Sequence, residues 1–542
     1  MNKKLNVAIF ASAFSPSLGG VEELCRQLAL ELMRQGHGVI VLTNRWPRDL
    51  PATASIDGIS VYRLPFRLPE GSAKAAINYH LTHRRVEQDM LTILRSHHID
   101  MLHVQCVSSN AHYAMIAQEK LGLPLVVTLQ GELTMDANQV FQKSPQAQKI
   151  LRRALDKAQV ITGCSGKTLR DGEEFYGRPF EERGRVIFNG VNLADFGPSM
   201  SNDQRSMSNT AVAASMSNTG GAAAAARLQV TGDRLQGGLT DKGDEFTTEV
   251  GEGSGGRGDP SRRARDKLLT QINDGGKNLE PGIENLEEKG RAALPNNLIS
   301  PGAPGLVIER VAAPRSYIFA LGRMAKQKGF DVLIQAYGLI NDQRSKVHPG
   351  APGNNDQQNR QSVPSVKSVD ENASVPSVCG VYPVRAGVAE PRFPDLLIAG
   401  DGPELENLKS LSRDLGLADI VHFPGRADHA AVVRYMQGCE FFVLSSRADE
   451  GLPVVCAEAM GAGCAIVATR SGGAPEAVLD GQTGLLVDKE NVEQLATAMQ
   501  RLINDPELRD RLAAAGKARA AEFAWPVIAQ QYVAAYAAAA AQ

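Results

Sequence analysis

The sequence predicts an α/β protein made of two doubly wound, Rossmann-like domains that face each other across a cleft. Three observations support this prediction. Apolar segments rich in valine, isoleucine and leucine alternate with helical segments in two blocks, from residue 5 to about 190 and from about 315 to 486. Glycine and polar turns bound these segments, as is typical of parallel strands covered by helices on both faces. A length of 542 residues is sufficient for two domains of ordinary size and for additional segments.

The first block begins with the apolar segment LNVAIFA, which we interpret as a buried strand. The N-terminal sequence MNKKLNVAIFASAF is also compatible with a signal peptide, but cleavage after Ala13 would remove the strand just before its glycine loop. The following segments alternate between helix and strand: the helices VEELCRQLALELMRQGH and AHYAMIAQEKLG, and the strands GVIVLTN, MLHVQ, LPLVVTLQ, AQVITGCS and RVIFNGV. The block therefore predicts an N-terminal domain over residues 1–196.

The second block has the same alternation and predicts a C-terminal domain over residues 313–520. Its helix FDVLIQAYGLI lies among the strands SYIFALGR, DLLIAGDGP, IVHFPGR, FFVLSSR, AIVATR and TGLLV. In doubly wound sheets, ligands bind outside the carboxyl ends of the strands. Two such domains are therefore expected to face each other through their strand ends and to enclose a cleft.

Two long segments interrupt this alternation, over residues 197–312 and 341–391. Ser-Met-Ser-Asn occurs three times in the first segment, Ser-Val-Pro-Ser-Val occurs twice in the second, and Asn-Asp-Gln-Arg-Ser occurs in both. Repeated peptides with few large apolar residues cannot bury enough surface to offset the entropy of ordering. Both segments are therefore predicted to be low-complexity, disordered insertions, the first between the domains and the second within the C-terminal domain.

Composition excludes some classes of partner and indicates a reducing compartment. The 58 Lys and Arg residues nearly balance the 60 Asp and Glu residues, which argues against a protein that coats nucleic acid. No uninterrupted apolar stretch of about 18 residues occurs, so no membrane span is expected, and contact with a membrane surface stays open. Seven cysteines at scattered spacing, without a C-x-x-C pair, indicate reduced, mostly buried thiols in a cytoplasmic protein.

One stretch of the second block combines two carboxylates with a glycine-proline helix start: DEGLPVVCAEAMGAGCAIVATRSGGAPEAV, over residues 449–478. Pro453 suits the first helical position, because its missing N–H would be unpaired there in any case. The amides that follow would then be free at the positive end of a helix, where phosphate oxygens bind. Glu450 precedes this start, and Glu458 lies five residues beyond Pro453, about 7.5 Å along the helix axis.

Two further segments carry residues suited to a diphosphate. Arg323 and Lys328 lie in LGRMAKQKG, between a strand and the next helix, and could neutralise a diphosphate without a metal. A solvated basic turn is the alternative reading of this pair. Gly19 and Gly20, in PSLGGVE, follow the first strand, where glycine lets the backbone approach a phosphate or sugar closely. This loop is not the G-x-G-x-x-G fingerprint of dinucleotide-binding proteins.

Several catalytic and metal-binding motifs do not occur in the sequence. There is no Asp-x-Asp pair for a metal-bound sugar nucleotide and no G-x-x-x-x-G-K-[ST] phosphate loop. No His and Cys residues have zinc-site spacing, and no G-x-S-x-G nucleophile elbow occurs. We therefore predict no metal site and no nucleotide-hydrolase or esterase chemistry.

Taken together, these segments resemble the family 4 retaining glycosyltransferases, which have the GT-B fold. The resemblance covers about residues 5–196, 315–341 and 392–540. It rests on FSPSLGGVEELCRQLALELMRQGH, VIFNGVNLADF, LGRMAKQKGFDVLIQA, LLIAGDGPE, VHFPGR and EGLPVVCAEAMGAGCAIVATRSGGAPEAVLDGQTGLLV. The C-terminal segment FAWPVIAQQYVAAY looks like the family's terminal helix and implies that residues 521–542 return to the N-terminal domain.

The resemblance implies transfer of a sugar from a nucleoside-diphosphate sugar to a hydroxyl acceptor, without a metal or other cofactor. The acceptor would be a glycan, a lipid-linked saccharide or a small molecule, held by the N-terminal domain. The C-terminal domain would hold the nucleotide sugar. Polysaccharide or glycolipid biosynthesis is the implied setting, in the cytoplasm or at the inner membrane surface. A sugar-nucleotide epimerase with the same fold and a non-catalytic sugar-nucleotide-binding protein are the alternatives.

The resemblance also assigns roles by position. Glu450 would contact the donor sugar and Glu458 the ribose, while Arg323 and Lys328 would hold the diphosphate. The remaining donor-binding candidates are the backbone of the helix start, the glycine loop of the facing domain and two residues bordering the base: Gly451, Leu452, Pro453, Val454, Gly19, Gly20, Gly425 and Arg426. Gln130, in TLQGE, stands where many family members have a histidine near the sugar. Glutamine can hydrogen-bond a hydroxyl but cannot shuttle protons near neutral pH.

Overall fold

The computed structural model describes residues 4–17, 19–68, 73–135, 140–197, 316–347 and 393–542. The predicted insertions lie outside the described residues, apart from Gly197 and residues 341–347. The latter continue a helix of the C-terminal domain as far as Val347, beyond the predicted start of the second insertion.

The N-terminal domain is built on an eight-stranded sheet with the order β3-β4-β2-β1-β5-β6-β7-β8. Neighbouring strands are parallel except in the β3–β4 hairpin. The chain starts in the middle, adds strands on one side and then crosses to the other, so the strand order reverses between β1 and β5. The strands are β1 (Asn6–Ala11), β2 (Gly38–Asn44), β3 (Thr53–Ile56), β4 (Ile59–Leu64), β5 (Met101–Gln105), β6 (Leu125–Leu129), β7 (Val160–Gly163) and β8 (Gly184–Val186).

Two helices of this domain begin, and two end, at residues with clear capping chemistry. Ser144 and Ser165 accept hydrogen bonds from amides in the first turns of α6 and α7. Left-handed glycines, Gly122 and Gly177, end α3 and α7. The helices are α1 (Gly20–Arg34), α2 (Ala73–Ser96), α3 (Ser109–Leu121), α4 (Glu132–Met135), α5 (Val140–Lys143), α6 (Pro145–Lys157) and α7 (Gly166–Tyr176).

The C-terminal domain has a six-stranded, fully parallel sheet with the order β11-β10-β9-β12-β13-β14. Its strand order reverses between β9 and β12. In open α/β sheets, this switch point is where a crevice forms at the carboxyl ends of the strands. The strands are β9 (Tyr317–Leu321), β10 (Asp395–Ala399), β11 (Val421–His422), β12 (Phe441–Leu444), β13 (Ala465–Thr469) and β14 (Leu485–Val487).

Helices cover both faces of this second sheet, and apolar clusters lie on both sides of it. The helices are α8 (Phe330–Val347), α9 (Leu405–Asp414), α10 (His429–Gly438), α11 (Val454–Gly461), α12 (Ala474–Ala477), α13 (Val492–Asn504), α14 (Pro506–Ala520) and α15 (Trp525–Ala540). The predicted fold class, two doubly wound α/β domains, is thereby confirmed. The predicted domain limits stay a prediction.

Two elements link the domains, because each packs into the apolar core of the other domain. Helix α15 packs against the N-terminal sheet, with Ile528 and Tyr536 in one apolar cluster with Val7 and Ile9. In the other direction, Phe196 lies in an apolar cluster of the C-terminal domain. Each domain therefore contributes one element to the core of the other.

The first strand and the cysteines have the environments that the sequence led us to expect. The segment LNVAIFA contains β1, whose last five residues are buried. Six of the seven cysteines lie in the described residues, all as free thiols, and only Cys106 among them is not fully buried; Cys379 lies outside. Within the described ranges, no helix combines the length and the hydropathy required to cross a membrane.

Candidate active site

The loop after β9 carries Lys328 to the end of β12. A short 3-10 helix, Lys326–Lys328, precedes Gly329, which has a φ of 63°. A Cβ atom at Gly329 would lie 2.1 Å from the backbone oxygen of Ser445, so only glycine allows this approach. The Ser445 hydroxyl also donates to the backbone oxygen of Lys328, over 2.9 Å. The loop is thus fixed at the switch point of the sheet.

Lys328 and Glu450 meet at this point. Lys328 Nζ donates to Glu450 Oε1 over 2.5 Å, and the Ser446 hydroxyl donates to the same oxygen over 2.6 Å. The side chains of Lys328 and Glu450 are 27% and 12% exposed, so the pair is only partly accessible to water. Ser446 is itself held by Thr469, whose hydroxyl donates to its backbone oxygen. Two predicted donor-site residues are therefore in direct contact, while Arg323, on the same loop, has an exposed side chain.

The segment after β13 supports the backbone around Glu450. Gly473 N donates to Glu450 O over 2.8 Å, and Gly472 N donates to Asp449 Oδ1 over 3.0 Å. Burial works against ionisation of Asp449, but the hydrogen bonds from Lys489 and Gly472 N lower its pKa below the usual value. The turn that presents Glu450 is therefore fixed from two sides.

Alanine at Gly472 is expected to disrupt this turn. Gly472 has a φ of 53°, and a Cβ there would lie 1.9 Å from Glu450 O. Gly481 is a matched control, since its φ is 69° but its Cβ would meet nothing within 4 Å. We expect Gly481→Ala to cost only the left-handed backbone strain of ~1–2 kcal/mol, and Gly472→Ala to lower the melting temperature further. Equal melting temperatures for the two variants would contradict the proposed support of Glu450.

Helix α11 begins one residue later than predicted. Pro453 is the N-cap, with a φ of −73° and a ψ of 91°, and Val454 is the first helical residue. The prediction that Pro453 occupies the first helical position is wrong, because its ψ is extended rather than helical. Proline has no side-chain acceptor with which to cap the amides of the first turn. Gly451, Leu452 and Pro453 are buried beneath this turn.

Glu458 lies on α11, eight positions after Glu450, and is partly buried. Burial raises the pKa of Glu458 above its usual value; His429 opposes this shift, and the carboxylate of Asp195 adds to it. His429 Nε2 and Asp195 Oδ2 are themselves 2.8 Å apart and connect α10 with the end of the N-terminal domain. Glu458 therefore faces a boundary region between the domains.

Gly425 and Arg426 lie at the β11 side of the same sheet. Gly400 N donates to Gly425 O over 2.8 Å, and a Cβ at Gly400 would lie 1.9 Å from Gly322 O. Three neighbouring strand ends are thus connected through closely packed glycine backbone. Gly425 has a φ of 77°, and Arg426 is exposed. The structure places these two residues on the side of β9 opposite to Glu450.

The N-terminal domain contributes Gln130, which follows β6 and is 9% exposed. Its side-chain nitrogen donates to Gln105 Oε1 over 3.2 Å, and its side-chain oxygen accepts from Asn189 Nδ2 over 3.1 Å. Its backbone N–H donates to the buried carboxylate of Glu132, over 2.7 Å. Gln130 was predicted from the sequence, but none of its three partners was, because no local motif indicates them.

The glycine loop after β1 lies at the carboxyl edge of the N-terminal sheet. Gly19 is the N-cap of α1, and a Cβ there would lie 2.2 Å from Glu22 Oε2. Gly20 is the first residue of α1 and is exposed, with open space where a Cβ would be. Both glycines thus leave the backbone at the start of α1 accessible.

The two domains touch through the N-terminus of α7. The Glu476 carboxylate accepts hydrogen bonds from Gly166 N over 2.6 Å and from Lys167 N over 2.8 Å. Lys167 Nζ also lies 3.9 Å from Asp449 Oδ2. Because α7 follows β7 and Asp449 follows β12, the carboxyl ends of the two sheets face each other. Glu476 was not predicted as a site residue, although it lies in the stretch over residues 449–478.

Two doubly wound domains whose strand ends face each other define the GT-B class of fold. Among solved structures, the Anabaena protein HepE in complex with UDP has a TM-score of 0.54 and 16% identity, covering 97% of this chain and 98% of that chain. Sucrose-phosphate synthase from Thermosynechococcus elongatus also has a TM-score of 0.54 and 16% identity, covering 98% of this chain and 97% of that chain. At this identity the likeness shows the fold alone.

Family models identify both halves. The model for Glycosyltransferase Family 4 matches residues 18–195, and that for Glycosyl transferases group 1 matches residues 393–519. The chain belongs to the family 4 glycosyltransferases, as its resemblance implied.

Curated relatives match a shorter stretch. A GDP-mannose-dependent alpha-(1-6)-phosphatidylinositol monomannoside mannosyltransferase of Mycolicibacterium smegmatis is 38% identical over 134 residues, which are 23% of this chain and 35% of that protein. A D-inositol 3-phosphate glycosyltransferase of Thermobifida fusca is 33% identical over 129 residues, covering 24% of this chain and 30% of that protein. The matched segment thus spans about a third of the length of these relatives.

Proposed function

We propose that the protein is a retaining glycosyltransferase that transfers a sugar from a nucleoside-diphosphate sugar to a hydroxyl acceptor without a metal ion. One observation carries the proposal: the partly buried Lys328–Glu450 pair lies at the switch point of the C-terminal sheet, beside the start of α11. Ligands of doubly wound sheets bind at this point. A cation, a carboxylate and a helix N-terminus together suit a diphosphate attached to hydroxyl-bearing groups.

The donor is proposed to lie along α11, with its diphosphate at Lys328 and Arg323. Glu450 accepts hydrogen bonds from the sugar hydroxyls, and Glu458 accepts them from the ribose. The hydrogen bond from Lys328 Nζ to Glu450 fixes the position of the ammonium group. Such preorganised charge stabilises a departing diphosphate more effectively than water does, because it need not reorient during the reaction.

Retention of configuration is proposed to follow from attack on the face that the diphosphate leaves. The bond between the anomeric carbon and the phosphate oxygen breaks, and a bond to the acceptor oxygen forms. The acceptor proton passes to an oxygen of the departing diphosphate. This path needs no basic side chain, which fits a neutral glutamine at position 130. The chain would mainly hold the substrates in register and stabilise the developing charge.

The acceptor is proposed to be a hydroxyl of a glycan or a glycolipid, bound by the N-terminal domain. The mannosyltransferase relative acts, by its name, on a phosphatidylinositol monomannoside. The N-terminal domain also exposes two large apolar side chains, Ile77 at 56% and Leu81 at 64%, on α2. Exposed Arg84 and Arg85 follow them on the same helix. This surface supports peripheral contact with a membrane, which we propose to be the inner membrane surface, with the protein on its cytoplasmic side.

Nucleoside diphosphates are expected to raise the melting temperature, in a screen of UDP, GDP and ADP and their sugars. A ligand at 100 times its Kd stabilises the folded protein by about 2.7 kcal/mol. We expect the effect to persist in EDTA and to be lost in Glu458→Ala. Glu493→Ala, at an exposed position of α13, is the matched control and should respond like the unmodified protein. A shift that requires a metal, or that survives in Glu458→Ala, would contradict the proposed site.

The same binding is expected to weaken as the pH falls. Protonation of Glu458 removes its negative charge and makes one of its two oxygens a donor, which weakens its hydrogen bonds from the ribose hydroxyls. Burial raises the pKa of this carboxyl. Affinity should therefore be full above the raised pKa and decline below it, at a higher pH than for an ordinary carboxyl.

The reaction products separate the alternative functions. An epimerase incubated with the donor alone would yield an isomeric sugar nucleotide, and binding without turnover would indicate a non-catalytic protein.

A further inference from the structure

Three side-chain amides form a chain at the carboxyl ends of the N-terminal strands. Gln105 ends β5, Gln130 follows β6, and Asn189 follows β8; their exposures are 2%, 9% and 6%. Asn189 Nδ2 donates to Gln130 Oε1, and Gln130 Nε2 donates to Gln105 Oε1. A 180° turn of the Gln130 amide would place N–H against N–H and oxygen against oxygen. The neighbours therefore fix which way this amide points.

One end of this chain is fixed by the terminal helix. Gln105 Nε2 donates to the hydroxyl of Tyr532 on α15, over 3.5 Å. This bond leaves Gln105 Oε1 to accept from Gln130. Tyr532 is 2% exposed, and burial raises the pKa of its hydroxyl to about 12, so the group stays neutral at physiological pH. The position of Gln105, and through it that of the Gln130 side chain, thus depends on a residue more than 400 positions away in sequence.

The other end of the amide chain, Asn189, lies beside the segment that begins α15. Val191 N donates to Phe523 O over 2.8 Å, and Trp525 N donates to Val191 O over 3.3 Å. The Trp525 indole packs on Gly190, where a Cβ would lie 2.4 Å from the ring. Asn189, the next residue back along the chain, is therefore held in place by α15 as well. Both side-chain partners of Gln130, Gln105 and Asn189, therefore depend on a helix that follows directly from the C-terminal domain.

We propose that α15 positions Gln130 to hydrogen-bond a hydroxyl of the bound sugar or acceptor. The amide chain uses one of the two hydrogens on Gln130 Nε2 and one lone pair of Oε1, so a donor and an acceptor remain for the substrate. Tyr532, Gln105 and Asn189 are positioning residues in this arrangement. The inference rests on the proposed glycosyl transfer, for which Gln130 would read a hydroxyl without exchanging a proton.

Tyr532→Phe and Tyr536→Phe form a matched pair that tests this inference. Both tyrosines are buried on α15, one helical turn apart. The Tyr532 hydroxyl bonds Gln105 as well as Thr128 and Thr162, whereas Tyr536 bonds His103 Nδ1 over 2.8 Å. We expect Tyr532→Phe to lower kcat for the donor identified by the thermal screen by ~10-fold, with its KM unchanged, because misplacement of a substrate-orienting group acts on kcat. Tyr536→Phe should stay within twofold of the unmodified protein. Gln105→Met should reproduce the effect of Tyr532→Phe.

Crystal structures of the two tyrosine variants give a readout that does not depend on turnover. We expect the Gln130 side chain to be displaced in Tyr532→Phe and unchanged in Tyr536→Phe. An unchanged Gln130 in Tyr532→Phe would overturn the inference. So would a loss of kcat that follows the loss of melting temperature equally in both variants. A displaced Gln130 in a protein that binds no nucleoside-diphosphate sugar in the thermal screen would support the positioning and contradict the proposed function.

Discussion

Replacing Lys328 by methionine is expected to lower kcat/KM for the donor by about 10²- to 10³-fold, the usual cost of removing one preorganised donor from a developing oxyanion. Methionine keeps much of the length and the apolar stem of lysine but has no charge. The loss should fall mainly on kcat, because charge on the diphosphate increases as the sugar bond breaks. Steady-state kinetics of nucleoside diphosphate release measure it directly.

Lys409→Met is the control for this prediction. Lys409 forms an ion pair with Glu406 on the exposed face of α9, in the same domain. Exposed pairs of this kind contribute only ~0–1 kcal/mol, so both stability and turnover should be nearly unchanged. A similar loss of kcat/KM in the Lys409 and Lys328 variants would show that the effect of Lys328 is general to the domain's charge. It would remove Lys328 from the proposed diphosphate site.

Replacing Glu450 by glutamine is expected to have a comparable effect, about 10²-fold on kcat/KM. The Glu450 carboxylate accepts from Lys328 Nζ and from the Ser446 hydroxyl, and it would also accept from the donor sugar. An amide has one acceptor oxygen and an NH₂ group that repels the ammonium hydrogens. Because both bonds end on one oxygen, the amide oxygen could still accept them, but the NH₂ would replace the oxygen left for the sugar and the negative charge that attracts Lys328 would be gone. Kinetics with the donor as the varied substrate measure the loss.

The double variant Lys328→Met/Glu450→Gln separates two explanations of these losses. Residues that act as a unit give losses that do not add, so the double variant should be about as impaired as the poorer single variant. Two residues with independent roles would instead give a loss equal to the product of the single effects. The second result would contradict an account in which Glu450 positions the Lys328 ammonium for the diphosphate.

The meeting of Lys328 and Glu450 could be predicted because both follow parallel strands of one sheet. Strands rich in buried aliphatic residues, such as FFVL of β12, are recognisable locally, and their carboxyl ends lie at one edge. The predicted start of α11 was wrong by one residue, because a proline in the sequence is compatible with both the N-cap and the first helical position. The β3–β4 hairpin was not predicted, because its short edge strand, TASI, has little apolar content.

The partners of Gln130 could not be predicted for a different reason. Gln105 and Tyr532 are brought together by the return of α15 to the N-terminal sheet, and no periodicity or motif records such a distant contact. The same holds for Glu476, whose carboxylate caps α7 in the opposite domain. Sequence patterns indicate elements and strand ends; contacts between domains depend on how those elements pack.

A crystal structure with a bound nucleoside-diphosphate sugar is the most direct test of the central claim. We expect the diphosphate to lie within hydrogen-bond distance of Lys328 Nζ. Sugar hydroxyls should donate to Glu450 and ribose hydroxyls to Glu458. A donor bound with its diphosphate away from the β9–β12 switch point, and with neither glutamate in contact with a hydroxyl, would contradict it.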